Sequence, residues 1–244
     1  MQVWIGDWAL LSQTTRWGLT LSETQTQLLA RYLEHLYTVN QQMNLTRVPP
    51  EQAVGRHLID SLCMLSVYSP PEGAHVLDIG AGAGLPGIPI AIARPDLHLT
   101  LLDSHGKTVE FLRHTCTLLG IHADAVYTRA ESWAHLHEAR EQFELVVARA
   151  VAKMPLLAEL MTPFLKVGGV GLALKSVGEL EEIHSAVSAA RLLGASLSLR
   201  TVEIETEIGV VQRAIAILHK EHLTPSRYPR AWTQILKRPL GGQA

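Results

Sequence analysis

Residues 78–87 read DIGAGAGLPG, a glycine-rich stretch that follows directly on the apolar run beginning at Val76. Glycine has no Cβ, so a glycine-rich backbone can turn sharply and come close to a bound molecule. Four glycines among the eight residues 80–87 lose so much conformational entropy on folding that an ordinary tight turn does not explain them. The sequence therefore predicts a ligand-binding loop between a first strand and a helix.

Downstream of this loop, short and almost wholly apolar runs alternate with patterns typical of helices. Five such runs indicate a parallel sheet covered by helices on both faces. Two further runs, 196–205 and 211–218, have no helix between them and are expected to pair as a hairpin. We therefore expect an α/β fold, the Rossmann-like fold of class I S-adenosylmethionine-dependent methyltransferases, with a seven-stranded, mostly parallel sheet. The five alternating strands are predicted over residues 76–79, 97–102, 125–128, 143–148 and 169–175.

The chain upstream of Gly73 is predicted to be helical. Ser22 and Gln25 have the spacing of a capping box at the start of one helix, and Pro50 is placed to begin a second. We expect residues 1–72 to form an N-terminal helical extension packed on the core, and residues 73–244 to form the methyltransferase core with a basic C-terminal tail. Residues 219–240 carry five basic residues against one acidic residue, within a chain of net charge −2. A basic end of this kind can contact phosphate.

The composition argues against several classes of protein. Of the 244 residues 47% are hydrophobic, too many for a disordered chain, yet no apolar run reaches the ~20 residues of a membrane span. The first residues lack the basic stretch and apolar core of a secretory signal. Two cysteines, Cys63 and Cys116, are too few for a disulfide framework, and the twelve histidines show no metal-ligand spacing. We expect a cytoplasmic monomer without a metal.

Two aspartates suit a cofactor bound at this loop, and one of them, Asp78, distinguishes between the cofactors that the loop can bind. Gly82, Gly84 and Gly87 formally match the G-x-G-x-x-G pattern of nicotinamide and flavin dinucleotide sites, which is a weak signal. Asp78, at the end of the first predicted strand, would repel a pyrophosphate but suits the ammonium and sulfonium charges of S-adenosylmethionine. Asp103, at the end of the second, can accept two hydrogen bonds from a ribose diol, which either cofactor requires. S-adenosylmethionine is favoured, and a dinucleotide-dependent oxidoreductase is the alternative.

The end of the fourth predicted strand, Ala148-Arg149-Ala150-Val151, restricts the methyl acceptor. Enzymes that methylate exocyclic amines usually carry Asn/Asp-Pro-Pro-Tyr/Phe there, and ribose methylation needs an aspartate where this chain has Arg149. Methylation of a pyrimidine C5 needs a cysteine nucleophile at a strand end, but Cys63 and Cys116 fall in predicted helices. What remains is an acceptor that is already nucleophilic, such as guanine N7, which needs only to be placed in line with the sulfonium methyl.

Several short motifs follow one another in a stretch of similarity that covers roughly residues 28–240. The first are Asn44-Leu45-Thr46 and Arg56-His57-Leu58-Ile59-Asp60-Ser61-Leu62. They continue through the 78–87 loop to Leu101-Leu102-Asp103-Ser104, Arg129-Ala130-Glu131 and Ala148-Arg149-Ala150-Val151. In these motifs the chain resembles the glucose-inhibited division protein B family, which are bacterial 16S ribosomal RNA guanine-N7 methyltransferases. The resemblance implies S-adenosylmethionine as cofactor and 16S rRNA or the small ribosomal subunit as partner, with a target guanine near the decoding centre.

The same resemblance assigns residues to a cofactor pocket. It implies Gly80, Leu85, Asp103, Ser104, His105, Ala130, Glu131 and Arg149, to which the acidic strand end and the loop add Asp78 and Gly82. The chain departs from the family at Ala81, where serine is usual, and at Leu85, where phenylalanine is usual. It also departs in the tail, where residues 231–236 read AWTQIL and the family usually has a basic stretch rich in proline and glycine.

Arg149, Arg56 and His57 are the candidate catalytic residues, and each has a structural alternative. Arg149 can orient the cofactor, bind RNA phosphate or the guanine O6, or simply form an ion pair with Glu131. Arg56 and His57 can contact RNA, whereas an Arg56–Asp60 pair would only support a helix. A non-catalytic RNA-binding protein with this fold is a further alternative, and it would bind rRNA without transferring a methyl group.

Overall fold

The computed structural model of the protein describes residues 6–241 and centres on one seven-stranded sheet, in the order β3-β2-β1-β4-β5-β7-β6. The first five strands in this order, β3, β2, β1, β4 and β5, run parallel to one another. β7 runs antiparallel to both β5 and β6. The predicted mostly parallel sheet and its closing hairpin are therefore confirmed. The strands are β1 His75–Ile79, β2 His98–Asp103, β3 Ala123–Tyr127, β4 Phe143–Arg149, β5 Leu165–Ser176, β6 Ala195–Thr206 and β7 Gly209–Lys220.

Helices occupy the N-terminal segment, the connections between successive strands from β1 to β6, and the segment after β7. They are α1 Glu23–Met43, α2 Asp60–Leu62, α3 Gly87–Ala93, α4 Gly106–Leu119, α5 Ala130–Trp133, α6 Met154–Met161, α7 Leu180–Ser185, α8 Val187–Leu192 and α9 Trp232–Lys237. α1 begins at the predicted capping box, in which Ser22 Oγ accepts the Gln25 N–H and Gln25 Oε1 accepts the Ser22 N–H. Within residues 6–241, no helix combines the length and the apolar character that crossing a membrane requires.

The helix expected to begin at Pro50 is not one regular helix. Pro50–Gln52 and Cys63–Ser66 are 3-10 turns, and Val54–Ile59 is a π-helix that leads directly into α2. Gly55 in the π-helix lies against the β6–β7 hairpin, because a Cβ there would be 2.8 Å from Thr206 Cβ. This tertiary contact does not affect the spacing of apolar residues along the sequence, so the sequence pattern could not predict it. π-helical turns are rare and often occur at functional sites.

Alternate side chains of the strands enter two hydrophobic clusters, one on each face of the sheet. Along β4, Leu145 and Val147 belong to the first cluster, whereas Val146 and Ala148 belong to the second. The first cluster also contains four fully buried side chains of α1, namely Leu29, Tyr32, Leu33 and Leu36. The N-terminal segment therefore shares a hydrophobic core with the sheet, and it can contact the carboxyl ends of the strands of that sheet.

Candidate functional site

The glycine loop turns at the carboxyl end of β1, in the middle of the sheet. Gly80, Gly82 and Gly84 have φ angles of +66°, +52° and +88°, in the left-handed region that residues with a Cβ rarely adopt. The Gly80 N–H donates to Leu102 O near the end of β2 at 2.8 Å, which fixes the turn against the neighbouring strand. The loop predicted from the four glycines is thus a tightly held backbone turn.

The N-terminal segment holds this loop and the helix that follows it. Tyr32 of α1 is fully buried, and its hydroxyl donates to Ala83 O within the loop at 2.8 Å. Gln25 Nε2 donates to Ile92 O and Ala93 O at the end of α3, at 2.9 and 3.0 Å. Helix α1 therefore fixes both the glycine loop and the far end of α3.

Asp78, next to last in β1, is a fully buried carboxylate beside the loop. Its Oδ2 accepts the Gly87 N–H at 2.8 Å, whereas its Oδ1 is buried without a hydrogen-bond partner among residues 6–241. Burial raises the pKa of Asp78 to about 7, although the Gly87 hydrogen bond and the Arg149 guanidinium favour the ionised form. A buried acceptor without a partner is costly, and a cationic donor on a bound molecule would satisfy it.

Asp103, the last residue of β2, joins the glycine loop to the loop after β2. Its Oδ2 accepts the Gly82 N–H at 3.0 Å, and its Oδ1 accepts the His105 N–H at 2.9 Å. His105 Nδ1 lies 3.1 Å from the same Oδ1. A carboxylate offers about four acceptor positions, so Oδ2 retains capacity for a hydroxyl of a bound ribose.

A cavity of about 360 Å³ lies at the carboxyl ends of β1 and β2, and we call it the loop cavity. Its wall combines these strand ends with the segments after β3 and β4 and with Trp232 of α9. A Cβ at Gly80 would lie 2.9 Å from Val151 Cγ2, so glycine keeps this part of the wall open. Six residues predicted for the cofactor line the cavity, namely Gly80, Asp103, Ser104, His105, Ala130 and Glu131.

The other predicted cofactor residues lie outside this wall. Gly82 is hydrogen-bonded to Asp103, and Leu85 is 4% exposed within the first hydrophobic cluster. Asp78 lies in the same strand end as the lining residue Ile79. The residues present fit S-adenosylmethionine, because an unpartnered acidic oxygen suits its ammonium group, Asp103 suits its ribose, and the glycine turn leaves room for the ligand.

A second cavity of about 450 Å³ adjoins the first across the end of β4, and we call it the basic cavity. Arg149 and Ala150 line the basic cavity, whereas Val151 lines the loop cavity. Ala150 has a φ of +57°, a strained conformation for a residue with a Cβ, at the point where the chain passes from one cavity to the other. Two acidic residues, Asp60 and Glu179, face five basic ones in this cavity: Arg47, Arg56, Arg149, Lys175 and Arg213.

Arg149 contacts the π-helix. Its Nη1 donates to Arg56 O at 3.0 Å, and its Nη2 lies 3.4 Å from His57 Nδ1. Glu131 instead faces Arg129, with 3.9 Å between Oε1 and Nη1. The structural alternative for Arg149, an ion pair with Glu131, is therefore wrong. The guanidinium group of Arg149 instead contacts the backbone and the imidazole of the π-helix.

The Arg56–Asp60 pair, the structural alternative for these residues, is also wrong. Asp60 accepts two hydrogen bonds from Arg213 of β7, Nε to Oδ1 at 2.7 Å and Nη2 to Oδ2 at 3.1 Å. Arg56 Nη1 donates to Gln52 Oε1 at 3.0 Å. Arg56 therefore pairs with Gln52, four residues before it, whereas Asp60 is taken up by Arg213 of the neighbouring hairpin. Sequence reasoning missed Arg213, which lies 153 residues from Asp60 and carries no local motif.

His57 is a very weak base and the two cysteine thiols stay protonated, so none of the three is suited to proton or nucleophilic catalysis. His57 is 2% exposed, its Nε2 lies 2.9 Å from Thr46 Oγ1, and burial together with Arg149 lowers its pKa to about 3. Burial raises the pKa of the Cys63 thiol and raises that of Cys116 to about 11, so both are protonated at neutral pH. Among residues 6–241, no group of three or more His, Cys, Asp or Glu is arranged to hold a metal.

Comparison with known sequences points to one family. The profile of the GidB family, described as rRNA small subunit methyltransferase G, matches residues 25–212. A protein of Halalkalibacterium halodurans named ribosomal RNA small subunit methyltransferase G is 39% identical over 225 residues, covering 91% of this chain and 94% of that protein. A protein of the same name from Roseiflexus castenholzii is 40% identical over 235 residues, covering 95% of this chain and 98% of that protein.

Solved structures share the fold at much lower identity. The M. jannaschii TYW2 structure in complex with AdoMet is 16% identical, with a TM-score of 0.52 over 68% of this chain and 76% of that chain. A precorrin-6y C5,15-methyltransferase from Geobacter metallireducens is also 16% identical, with a TM-score of 0.50 over 66% of this chain and 87% of that chain. These similarities confirm the class I methyltransferase fold expected from the sequence.

Proposed function

The chain belongs to the GidB family, the rRNA small subunit methyltransferase G proteins, and from that premise we propose that it transfers a methyl group from S-adenosylmethionine to N7 of a guanine in 16S rRNA. The observation that carries this proposal is the pair of adjoining cavities at the carboxyl ends of the strands. One has the acidic and glycine groups that suit the cofactor, and the other is lined by basic groups that suit RNA. Ligands of open α/β sheets bind at this end of the strands.

On the cofactor side, the chain supplies orientation. Bound S-adenosylmethionine supplies an electrophilic sulfonium methyl. We assign Asp103 to its ribose and the free Oδ1 of Asp78 to its ammonium group, since both carboxylates stand at strand ends beside the glycine loop. Gly80 keeps the backbone close to the ligand, and Ala130 and Glu131 at the start of α5 line the far side of the cavity.

On the RNA side, the basic cavity supplies local positive charge in a chain whose net charge is −2. Phosphate contacts position a nucleic acid, and arginine forks can also read the O6 and N7 edge of guanine. Arg213 is held by Asp60, and Arg149 is held by the π-helix, so we assign these two to shaping the cavity. Arg47 and Arg56 are the cations we assign to direct contact with RNA.

The reaction we propose needs no protein general base. Guanine N7 has an in-plane lone pair and no proton to lose, so catalysis consists of placing N7 in line with the methyl group. The weakly basic imidazole of His57 and the protonated thiols of Cys63 and Cys116 agree with a reaction that uses no general base. One chain supplies both cavities, so a monomer suffices for the reaction. An rRNA substrate implies that the protein acts in the cytoplasm, because ribosomes assemble there.

The decisive experiment is methyl transfer from labelled S-adenosylmethionine to 16S rRNA, or to small subunits, from cells that lack this gene. Digestion and mass analysis should identify 7-methylguanosine. Asp103→Asn is expected to lose cofactor affinity and activity together, whereas Asp124→Asn, on the neighbouring β3 and away from the loop cavity, serves as the matched control.

The alternatives give different results in the same preparation. An oxidoreductase would bind a nicotinamide or flavin cofactor and ignore S-adenosylhomocysteine. A non-catalytic RNA-binding protein would retain the rRNA without labelling it. A methylated nucleoside other than 7-methylguanosine would preserve the cofactor assignment but refute the proposed acceptor.

A further inference from the structure

We propose that Trp232 stacks on the adenine of bound S-adenosylmethionine, so that α9 forms an aromatic wall of the cofactor site; the inference rests on the proposed function. Trp232 is the first residue of α9 and lines the loop cavity together with Asp103 and Glu131. It lies more than a hundred residues from both in the sequence, in a tail that the motifs do not assign to the cofactor.

One part of the Trp232 indole ring is accessible for stacking. Trp232 is half-buried, and among residues 6–241 no aromatic or cationic side chain is stacked on it. Val151 and Leu160 contribute apolar surface to the same wall, whereas Asp103 contributes the polar end that suits a ribose. A planar base attached to a ribose held by Asp103 can therefore extend along apolar and aromatic surface, which is the environment that stacking favours.

Helix α9 is anchored, so the ring is held in place before any ligand binds. Arg230, just before α9, donates from its backbone N–H and from Nε to Glu159 Oε1 at 2.8 and 2.9 Å. Its Nη2 donates to Glu159 Oε2 at 2.7 Å. Glu159 of α6 and Ile235 of α9 are both fully buried. A preorganised wall avoids the entropic cost of ordering a loose segment on binding.

The tail of this chain is suited to such a helix. Residues 231–237 read AWTQILK and contain neither proline nor glycine, the two residues that disfavour helix interiors. Helix α9 forms over this segment, and its first residue places a tryptophan beside the loop cavity.

The test compares Trp232→Ala, Trp232→Phe and Leu236→Ala by calorimetric titration with S-adenosylhomocysteine and with adenosine. Leu236 lies on the same helix, is 51% exposed and does not line the loop cavity, so it is the matched control. We expect Trp232→Ala to weaken both ligands about tenfold, which corresponds to ~1.4 kcal/mol. Trp232→Phe, which keeps a stacking ring, should stay within about threefold of the unmodified protein, and Leu236→Ala should match it.

Tryptophan fluorescence gives an independent readout. Addition of S-adenosylhomocysteine should change the emission of the unmodified protein, and that change should shrink in Trp232→Phe but persist in Leu236→Ala. Unaltered affinity for adenosine in Trp232→Ala would overturn the proposal, and so would a Trp232→Phe protein that binds as weakly as Trp232→Ala. Failure of the unmodified protein to bind S-adenosylhomocysteine would instead refute the proposed function itself.

Discussion

Replacing Asp78 by asparagine should change how the stability of the ligand-free protein depends on pH. Burial raises the pKa of Asp78 from 3.8 to about 7 in the folded protein. A carboxyl group whose pKa is raised by folding binds its proton more tightly in the folded state, so the free energy of unfolding falls as pH rises. The fall begins near the unfolded value and is complete once pH exceeds the folded value.

The size of the effect follows from the same shift. One pKa unit corresponds to 1.36 kcal/mol, so a shift of about three units corresponds to a loss on the order of 4 kcal/mol between pH 4 and pH 8. Between pH 5 and pH 8, the range in which measurement is convenient, the expected loss is roughly 2–3 kcal/mol. Asparagine has the same shape but does not ionise, so the variant should lack this component.

The measurement is urea-induced unfolding of both ligand-free proteins at pH 5, 6, 7 and 8. The free energy of unfolding of the unmodified protein should fall relative to that of Asp78→Asn as pH rises. Parallel pH dependences for the two proteins would refute the reasoning, because they would mean that Asp78 is already ionised or already paired in the folded state. Asp124→Asn, at an exposed aspartate on β3, controls for a general effect of removing one carboxylate.

Three further predictions concern the loop, the basic cavity and the chemistry. Arg149→Lys keeps the charge, but a lysine cannot contact Arg56 O and His57 Nδ1 together. Methyl transfer at saturating substrates should therefore fall about tenfold, while Tm drops by only a few degrees. Full activity of this variant would show that the guanidinium fork is dispensable. Tyr32→Phe removes the hydrogen bond to Ala83 O. We expect the free energy of unfolding to fall by about 1 kcal/mol, and S-adenosylhomocysteine to bind several-fold more weakly in calorimetry. An unchanged affinity would mean that α1 does not hold the loop. Finally, single-turnover methyl transfer at saturating cofactor and RNA should be flat between about pH 6 and pH 9, and a tenfold rise across that range would reveal a general base.

The sequence was informative wherever a short segment determines its own geometry. Apolar runs predicted the strands, and the left-handed φ angles of Gly80, Gly82 and Gly84 explain why glycines stand in the loop. Asp78 and Asp103 could be assigned to strand ends because parallel strands direct their carboxyl ends to one edge of the sheet. Each of these inferences needs only residues that are close together in the chain.

Features that depend on distant segments could not be predicted in this way. The π-helix at Val54–Ile59 is held by the β6–β7 hairpin, and Asp60 selects Arg213 across 153 residues in place of its neighbour Arg56. The orientation of Arg149 toward the π-helix follows from that tertiary arrangement. Trp232 lines the loop cavity at the start of a helix that Arg230 anchors to the buried Glu159 of α6. Local propensity contains no information about such partners.

The position of β7 inside the sheet has a consequence for biosynthesis. β7 is translated after the other six strands of this sheet, yet it pairs with β5 on one side and β6 on the other. A nascent chain that has emerged only through β6 leaves the edge of β5 without its partner, and it lacks Arg213 to bind Asp60. The sheet and the basic cavity are therefore completed only when β7 has left the ribosome, and until then an unpaired strand edge is open to aggregation or to chaperones.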